Sequence, residues 1–125
     1  MRTAEPAFKD EERARPVASA WRSVIGEVVE AFAAGDYALS RVASVAIDAR
    51  AVAQIEHYVA DFGETLVALP EATWSTSVSQ WMGTHWDVLV DLWTVESGAS
   101  DLALSARVHE TDDGVRFEIL SVHVP

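Results

Sequence analysis

A chain of 125 residues, half of them apolar and none of them cysteine, carries 9 basic against 20 acidic side chains, for a formal charge of −11. This length supports one soluble domain whose core needs no disulfide or metal staple, and the missing thiols exclude disulfide frameworks, thiolate zinc sites, iron–sulfur clusters and cysteine nucleophiles. The acidic balance argues against nucleic acid as a direct ligand, because affinity for phosphate backbones comes mainly from Lys and Arg.

Residues 1–15 hold a charged run from Lys9 to Arg15, with Phe8 as their large apolar side chain. They read as a loosely ordered arm before a single α+β domain over 16–125. No apolar segment of signal-peptide type opens the chain, and no later stretch approaches the roughly 18 apolar residues of a membrane span, so a cytoplasmic protein without membrane contact is expected. From Val17 the pattern changes. Val17, Trp21, Val24, Ile25, Val28, Val29 and Phe32 recur at spacings of three and four, which predicts a helix over about 17–34. Pro16 suits its first turn and Gly35 the left-handed residue that ends it. Gly26, in mid-helix, costs about 1 kcal/mol relative to Ala, which implies close approach by a neighbouring element. Residues 36–47 read as a loop or a single turn. Asp48 is placed to cap a second helix, 48–62, whose face is Val52, Ile55, Val59 and Phe62, with Gly63 ending it. The apolar run 65–69 reads as a strand or extended stretch closed by Pro70, and 71–85 suits a short helix and an irregular strand equally.

The last forty residues alternate. Trp86, Val88, Val90 and Leu92 share one face of a strand over 86–95, with Asp87, Leu89, Asp91 and Trp93 on the other. After a turn at 96–100, Leu102, Leu104, Ala106 and Val108 mark the buried face of a strand over 101–110, and an Asp-Gly turn at Asp113-Gly114 leads into a third, 115–124. Its apolar parity shifts after Ile119, which predicts a bulge near Leu120 and Ser121. The expected architecture is therefore α+β, with two helices packed on an antiparallel sheet of three strands, or four if 65–69 joins.

Matching the buried faces of the first two meander strands sets Val90 opposite Ala106 and Leu92 opposite Leu104. That register brings Asp87 near His109 and Asp91 near Ser105. A carboxylate beside an imidazole is the minimal equipment of a general acid/base pair, so Asp91, His109 and His123 are the candidate catalytic residues; a solvated cross-strand contact is the plainer account of the same pairing. His57 and Asp61 lie one helical turn apart, which is common on a polar helix face. No metal-binding, phosphate-cradling or nucleophile-elbow motif occurs, so no metal or cofactor is expected. Four of the 5 tryptophans fall between Trp74 and Trp93. Trp93 shares a face with Asp87 and Asp91, either covered by Trp74 or Trp81 from 71–85 or free as an aromatic binding surface. The candidate binding residues are Trp81, Asp87, Asp91, Trp93, Glu96, Asp101 and His109.

The runs Leu66-Val67-x-Leu69-Pro70, Trp86-x-Val88-Leu89-Val90-Asp91-Leu92-Trp93-Thr94, Glu96-x-Gly98-x-Ser100-Asp101-Leu102 and Val122-His123-Val124 together resemble an uncharacterised family of small bacterial domains of unknown function. That resemblance implies a stand-alone domain and brings no catalytic residues. The hairpin residues Asp91, Trp93, Glu96, Ser100 and Asp101 either pin a turn, Ser100 and Asp101 capping backbone N–H groups, or line a site. The segment Phe32-Ala33-Ala34-Gly35-Asp36 after an amphipathic helix is similar to the nuclear-transport-factor-two-like cone folds, which implies helices leaning on a curved sheet around a pocket. Three functions fit these observations. The leading one is a non-enzymatic module, like a small immunity or accessory protein, that binds a basic protein partner through an acidic, Trp-rich sheet face. The others are a small-molecule pocket of isomerase or hydrolase type using the Asp and His residues, and a structural homodimer joined at an unpaired meander edge. Either a monomer or a homodimer is compatible with the sequence.

Overall fold

The computed structural model describes residues 4–125. Its elements in chain order are β1 (Arg15–Pro16), α1 (Ser19–Ala33), β2 (Val45–Ile47), α2 (Ala49–Phe62), a 3₁₀ turn (Glu71–Ser75), β3 (Val78–Trp81), β4 (Trp86–Thr94), β5 (Gly98–Thr111) and β6 (Gly114–His123). The α+β class stands, but the sheet has six strands in the order β1-β3-β4-β5-β6-β2 rather than three or four. It is mixed, since β2 runs parallel to β6 while the other neighbours are antiparallel.

Both helices follow their apolar stripes. In α1, Trp21, Ile25, Val28, Val29 and Phe32 are buried. Gly35, at φ 87°, donates to Phe32 O while the Asp36 N–H donates to Ala31 O, closing the helix as a Schellman motif. Pro16 does not open the helix. It lies in β1 opposite Val78, an edge position where the missing N–H costs no ladder bond. Gly26 also departs from expectation, because among the described residues a Cβ built there meets nothing within 4 Å. The second helix begins at Asp48, whose carboxylate accepts the Ala51 N–H at 2.8 Å, and ends at Gly63 with φ 77°.

Two short edge strands lie outside the sequence expectation. Residues 45–47, inside the expected loop, form β2, and β1 has only two residues; neither is long enough to show alternation. The run 65–69 is not a strand. Leu66 makes a single bridge to Thr94, flanked by Val67 N–H to Trp93 O and Val95 N–H to Thr65 O. The segment 71–85 uses both of its expected forms, a 3₁₀ turn and then β3.

In the meander the register differs from expectation by two residues. Val88 stands opposite Ala106 and Val90 opposite Leu104, so Asp87 faces Arg107 rather than His109, and Asp91 faces Ala103 rather than Ser105. A two-residue slip keeps every side chain on its own face, so burial patterning cannot detect it. What decides is an irregularity near the hairpin. Trp93 pairs Ala99 but Asp91 pairs Ala103, leaving Ser100, Asp101 and Leu102 against Leu92 alone. Ser100 fills the gap by donating to Leu92 O at 2.7 Å and accepting the Leu102 N–H at 3.2 Å. The second bulge falls as expected, with Ser105 opposite Ser121 but Ala106 opposite Ile119, so Leu120 is the extra residue.

One core holds these layers together. The buried faces of both helices and the inner side chains of β4, β5 and β6, from Trp86 to Val122, form a single cluster. Trp21 meets Trp86 edge-on at 5.0 Å, and Trp81 tilts against Trp86 at 4.6 Å. The space where an enclosed pocket between helices and sheet would lie is occupied by side chains such as Phe32, Ile55, Leu92 and Leu104, all essentially fully buried.

The outer edges of the meander are occupied as well. Beyond β3, Ser77 and Thr73 stand in for a strand on β4: the Asp91 N–H donates to Ser77 Oγ at 3.0 Å and the Thr73 hydroxyl donates to Asp91 O. On β6, Gln54 of α2 donates to Val122 O at 2.7 Å and accepts the Val122 N–H at 3.2 Å. The unpaired meander edge on which the homodimer reading relied is thus taken by the chain itself. Residues 4–14 carry no helix or strand. The Glu5 backbone exchanges hydrogen bonds with Ser19, while Phe8 O accepts the Trp86 indole N–H at 2.9 Å and Asp10 O accepts from Gln80 at 2.8 Å.

Candidate binding face

Both helices pack on one side of the sheet, and no helix or strand of the described residues covers the other. Strand alternation turns Asp87, Leu89, Asp91 and Trp93 of β4 to that open side, where they are half-buried. The register sets them in rows. Asp87 lies between Gln80 and Arg107, and Arg107 beside Glu118; Leu89 lies between Val78 and Ser105; Asp91 lies beside Ala103, and Ala103 beside His123; Trp93 lies beside Ala99.

The end of this face near the β5–β6 turn is charge-paired. Asp87 Oδ1 takes both Arg107 Nε at 3.3 Å and His85 Nε2 at 3.2 Å. His109 pairs with Glu118 at 3.1 Å, and its ring lies 5.5 Å from that of His85. A carboxylate–imidazole pair therefore exists, but as His109–Glu118 and His85–Asp87 instead of Asp87–His109. The spacing His85-x-Asp87, two positions on one side of a strand, was the signal for the second pair; Glu118 gave none, because its partner depends on the β5–β6 register. In the middle, Val78, Leu89 and Leu120 line a shallow hollow of about 290 Å³ with Gln80, Asp87, Ser105 and Arg107.

The opposite end is unpaired. Among the described residues the carboxylates of Asp91 and Asp101 have no hydrogen-bond or ion-pair partner. Nearby, Trp93 Nε1 is a buried donor with no acceptor. A donor left so costs about 1–3 kcal/mol, an expense that structures usually avoid.

The remaining candidate residues separate. Glu96 belongs to the hairpin turn, where it accepts the Thr65 N–H at 2.7 Å and the Thr65 hydroxyl at 2.9 Å. The Thr65 N–H, acting with the Glu96 backbone N–H and the Thr65 hydroxyl, holds that carboxyl below its usual pKa. Trp81 pairs Trp86 on the helical side of the sheet and lies under the Lys9 ammonium, 5.1 Å from its ring. Trp74 also lies off the open face, against the Arg22 guanidinium at 5.4 Å, so neither Trp covers Trp93. Asp91 and His123 flank Ala103 from two sides, about 10 Å apart at strand spacing. His109 lies six residues further along β5, about 20 Å away. The three candidate catalytic residues do not meet. His123 Nδ1 is 3.2 Å from Ser121 Oγ, but no carboxylate orients its ring, so the third member of an activated-nucleophile arrangement is missing among the described residues. His57 Nε2 lies 3.1 Å from Asp61 Oδ2 in an exposed contact on α2. No group of three or more metal-ligating side chains converges among the described residues, and no helix there is long and apolar enough to cross a membrane.

These features define a class: a small α+β domain with helices on one face of a six-stranded sheet and no helix or strand among the described residues on the other. The chain belongs to the DUF7668 family, a domain of unknown function, whose family model matches residues 29–125. That span begins within α1 and includes everything from β2 to the end of β6. No curated protein and no solved structure matches the chain.

Proposed function

We propose that this protein is a non-enzymatic binding module that takes a basic protein partner on its open sheet face. The observation that carries the reading is the Asp91 carboxylate, half-buried and without a partner among the described residues, on a face where Asp87 and Glu118 are both paired. A cation arriving from outside gains a charge-assisted bond there and displaces none of the protein's own. Leu89, Leu120 and Trp93 supply apolar area for the stem of a Lys or Arg side chain. The charge of −11 draws a basic partner from a distance.

The test is an amide-shift titration with an alternating Lys-Leu peptide and, as its control, an alternating Glu-Leu peptide. Shifts confined to 87–93, 99–107 and 118–123, seen with the Lys peptide alone and lost in Asp91→Lys, are expected. Equal response to both peptides, or shifts centred on the helices, would overturn the reading. Trp93→Ala should weaken the same response in a chain that stays folded, and an unfolded Trp93→Ala chain would count against the reading.

A further inference from the structure

The arm offers a second surface, independent of the open face. It is tied at both ends, by the Glu5 N–H donated to Ser19 Oγ with the Ser19 N–H donated to Glu5 O, and by the pairing of Arg15–Pro16 with β3. Between those ties, residues 8–10 cross the sheet margin where β3 and β4 meet. Their contacts use little that is specific to this sequence. The carbonyls of Phe8 and Asp10, two residues apart, accept from the Trp86 indole and the Gln80 amide. The single side chain engaged between them is Lys9, over the Trp81 ring at 5.1 Å and paired with Glu110 at 2.7 Å. Both members of that ion pair are half exposed, at 51% and 53%, so solvent screens the contact. Phe8, the arm's large apolar side chain, is 36% exposed and stacks with Arg15 of the arm instead of entering the core.

An indole donor, an amide donor and an aromatic ring beside a carboxylate form a recognition set for an extended backbone bearing a lysine. We propose that residues 8–10 occupy, as an intramolecular ligand, a groove formed by Gln80, Trp81, Trp86 and Glu110 that accepts an extended, lysine-bearing segment of another protein. The arm then acts as a competitor held at an effective concentration on the order of millimolar, and binding in trans requires its middle to lift away. The recognition chemistry is visible because the chain's own segment already satisfies it.

The experiment uses the full chain and a fluorescein-labelled peptide of residues 4–16. Lys9→Glu sets a like charge against Glu110 on an exposed residue, so it loosens the arm without touching the core. The wild-type chain is expected to bind the peptide at least tenfold more weakly than the Lys9→Glu chain. In Lys9→Glu the Trp86 indole N–H resonance should move, and it should return to its wild-type position on adding peptide. The same peptide with its lysine changed to glutamate should neither bind nor restore the signal. If the indole resonance does not move in Lys9→Glu, the arm is a fixed part of the fold and the proposal is overturned. If it moves and the peptide neither binds nor restores it, the groove has no affinity for such a segment and the proposal is equally overturned.

Discussion

Ser77→Ala is the sharpest test of how this sheet ends. Ser77 is 3% exposed and Thr73 is fully buried; together their hydroxyls take the place of the strand that β4 lacks beyond β3. The Ser77 hydroxyl donates to Thr73 O at 2.8 Å and accepts the Asp91 N–H at 3.0 Å. The loss of the first bond matters little, because Thr73 O keeps the Ser77 N–H at 3.0 Å. Losing the second leaves the part-buried Asp91 N–H with no acceptor among the described residues, at a cost of about 1–3 kcal/mol. For a chain of this size each kcal/mol lowers the melting temperature by about 3–6 °C. Ser75→Ala is the control, since Ser75 is exposed and among the described residues its hydroxyl bonds only to Ala72 O within its own turn, so about 0.5 kcal/mol or less is expected. Urea unfolding monitored by tryptophan fluorescence measures both. Thr73→Val removes the donor to Asp91 O, and combined with Ser77→Ala it should fall short of the summed cost, because both act on the two backbone groups of one residue. A Ser77→Ala chain within about 0.5 kcal/mol of wild type would mean that water satisfies Asp91 and that the side chains do not seal this edge.

Two further predictions concern stability and acid. Gly26→Ala should raise stability by about 0.5–1 kcal/mol in the same urea assay, because the added methyl meets nothing within 4 Å and a helical glycine gains rigidity when replaced; a loss would reveal a requirement at Gly26 that packing does not account for. The Glu96 carboxyl has a lowered folded pKa, so its tie to Thr65 contributes fully above the unfolded carboxylate pKa of about 4.3 and disappears as pH falls through the lower folded value. The Thr65 amide proton shift should therefore titrate with a midpoint below about 4.3, and Glu96→Gln should abolish that transition; a midpoint at or above the ordinary value would contradict the hydrogen-bonded geometry.

What the sequence revealed followed the strength of its periodicities. The α2 boundaries were legible because Asp48 and Gly63 are chemical end signals, and the Leu120 bulge because one extra residue reverses the in-out parity of everything after it. The slip of two residues between β4 and β5 left parity intact and so left no trace. The strands β1 and β2 are two and three residues long, and they exist because longer neighbours offer them a ladder. Among site residues, the half-exposed placement of Asp91 and Trp93 followed from alternation alone. Glu96 takes the turn-pinning role that the sequence offered as one alternative, but its partner Thr65 was not legible, because a single bridge between Leu66 and Thr94 brings it there. Trp81 was misplaced because the face of β3 depends on its pairing with β4.

The Gln54 clamp on Val122 joins residues 68 apart, and the Trp86 contact with Phe8 joins residues 78 apart. The parallel pairing of β2 with β6 is similarly distant in the chain. The three meander strands can zip locally, but the apolar stripes of both helices have no complete surface to rest on until β6 exists. Ile25, Phe32 and Ile55 share one buried cluster with Phe117, Ile119 and Val122 of β6. Removal of residues 116–125 would therefore strip the helices of part of their packing surface while leaving every ladder partner of the β4–β5 hairpin in place.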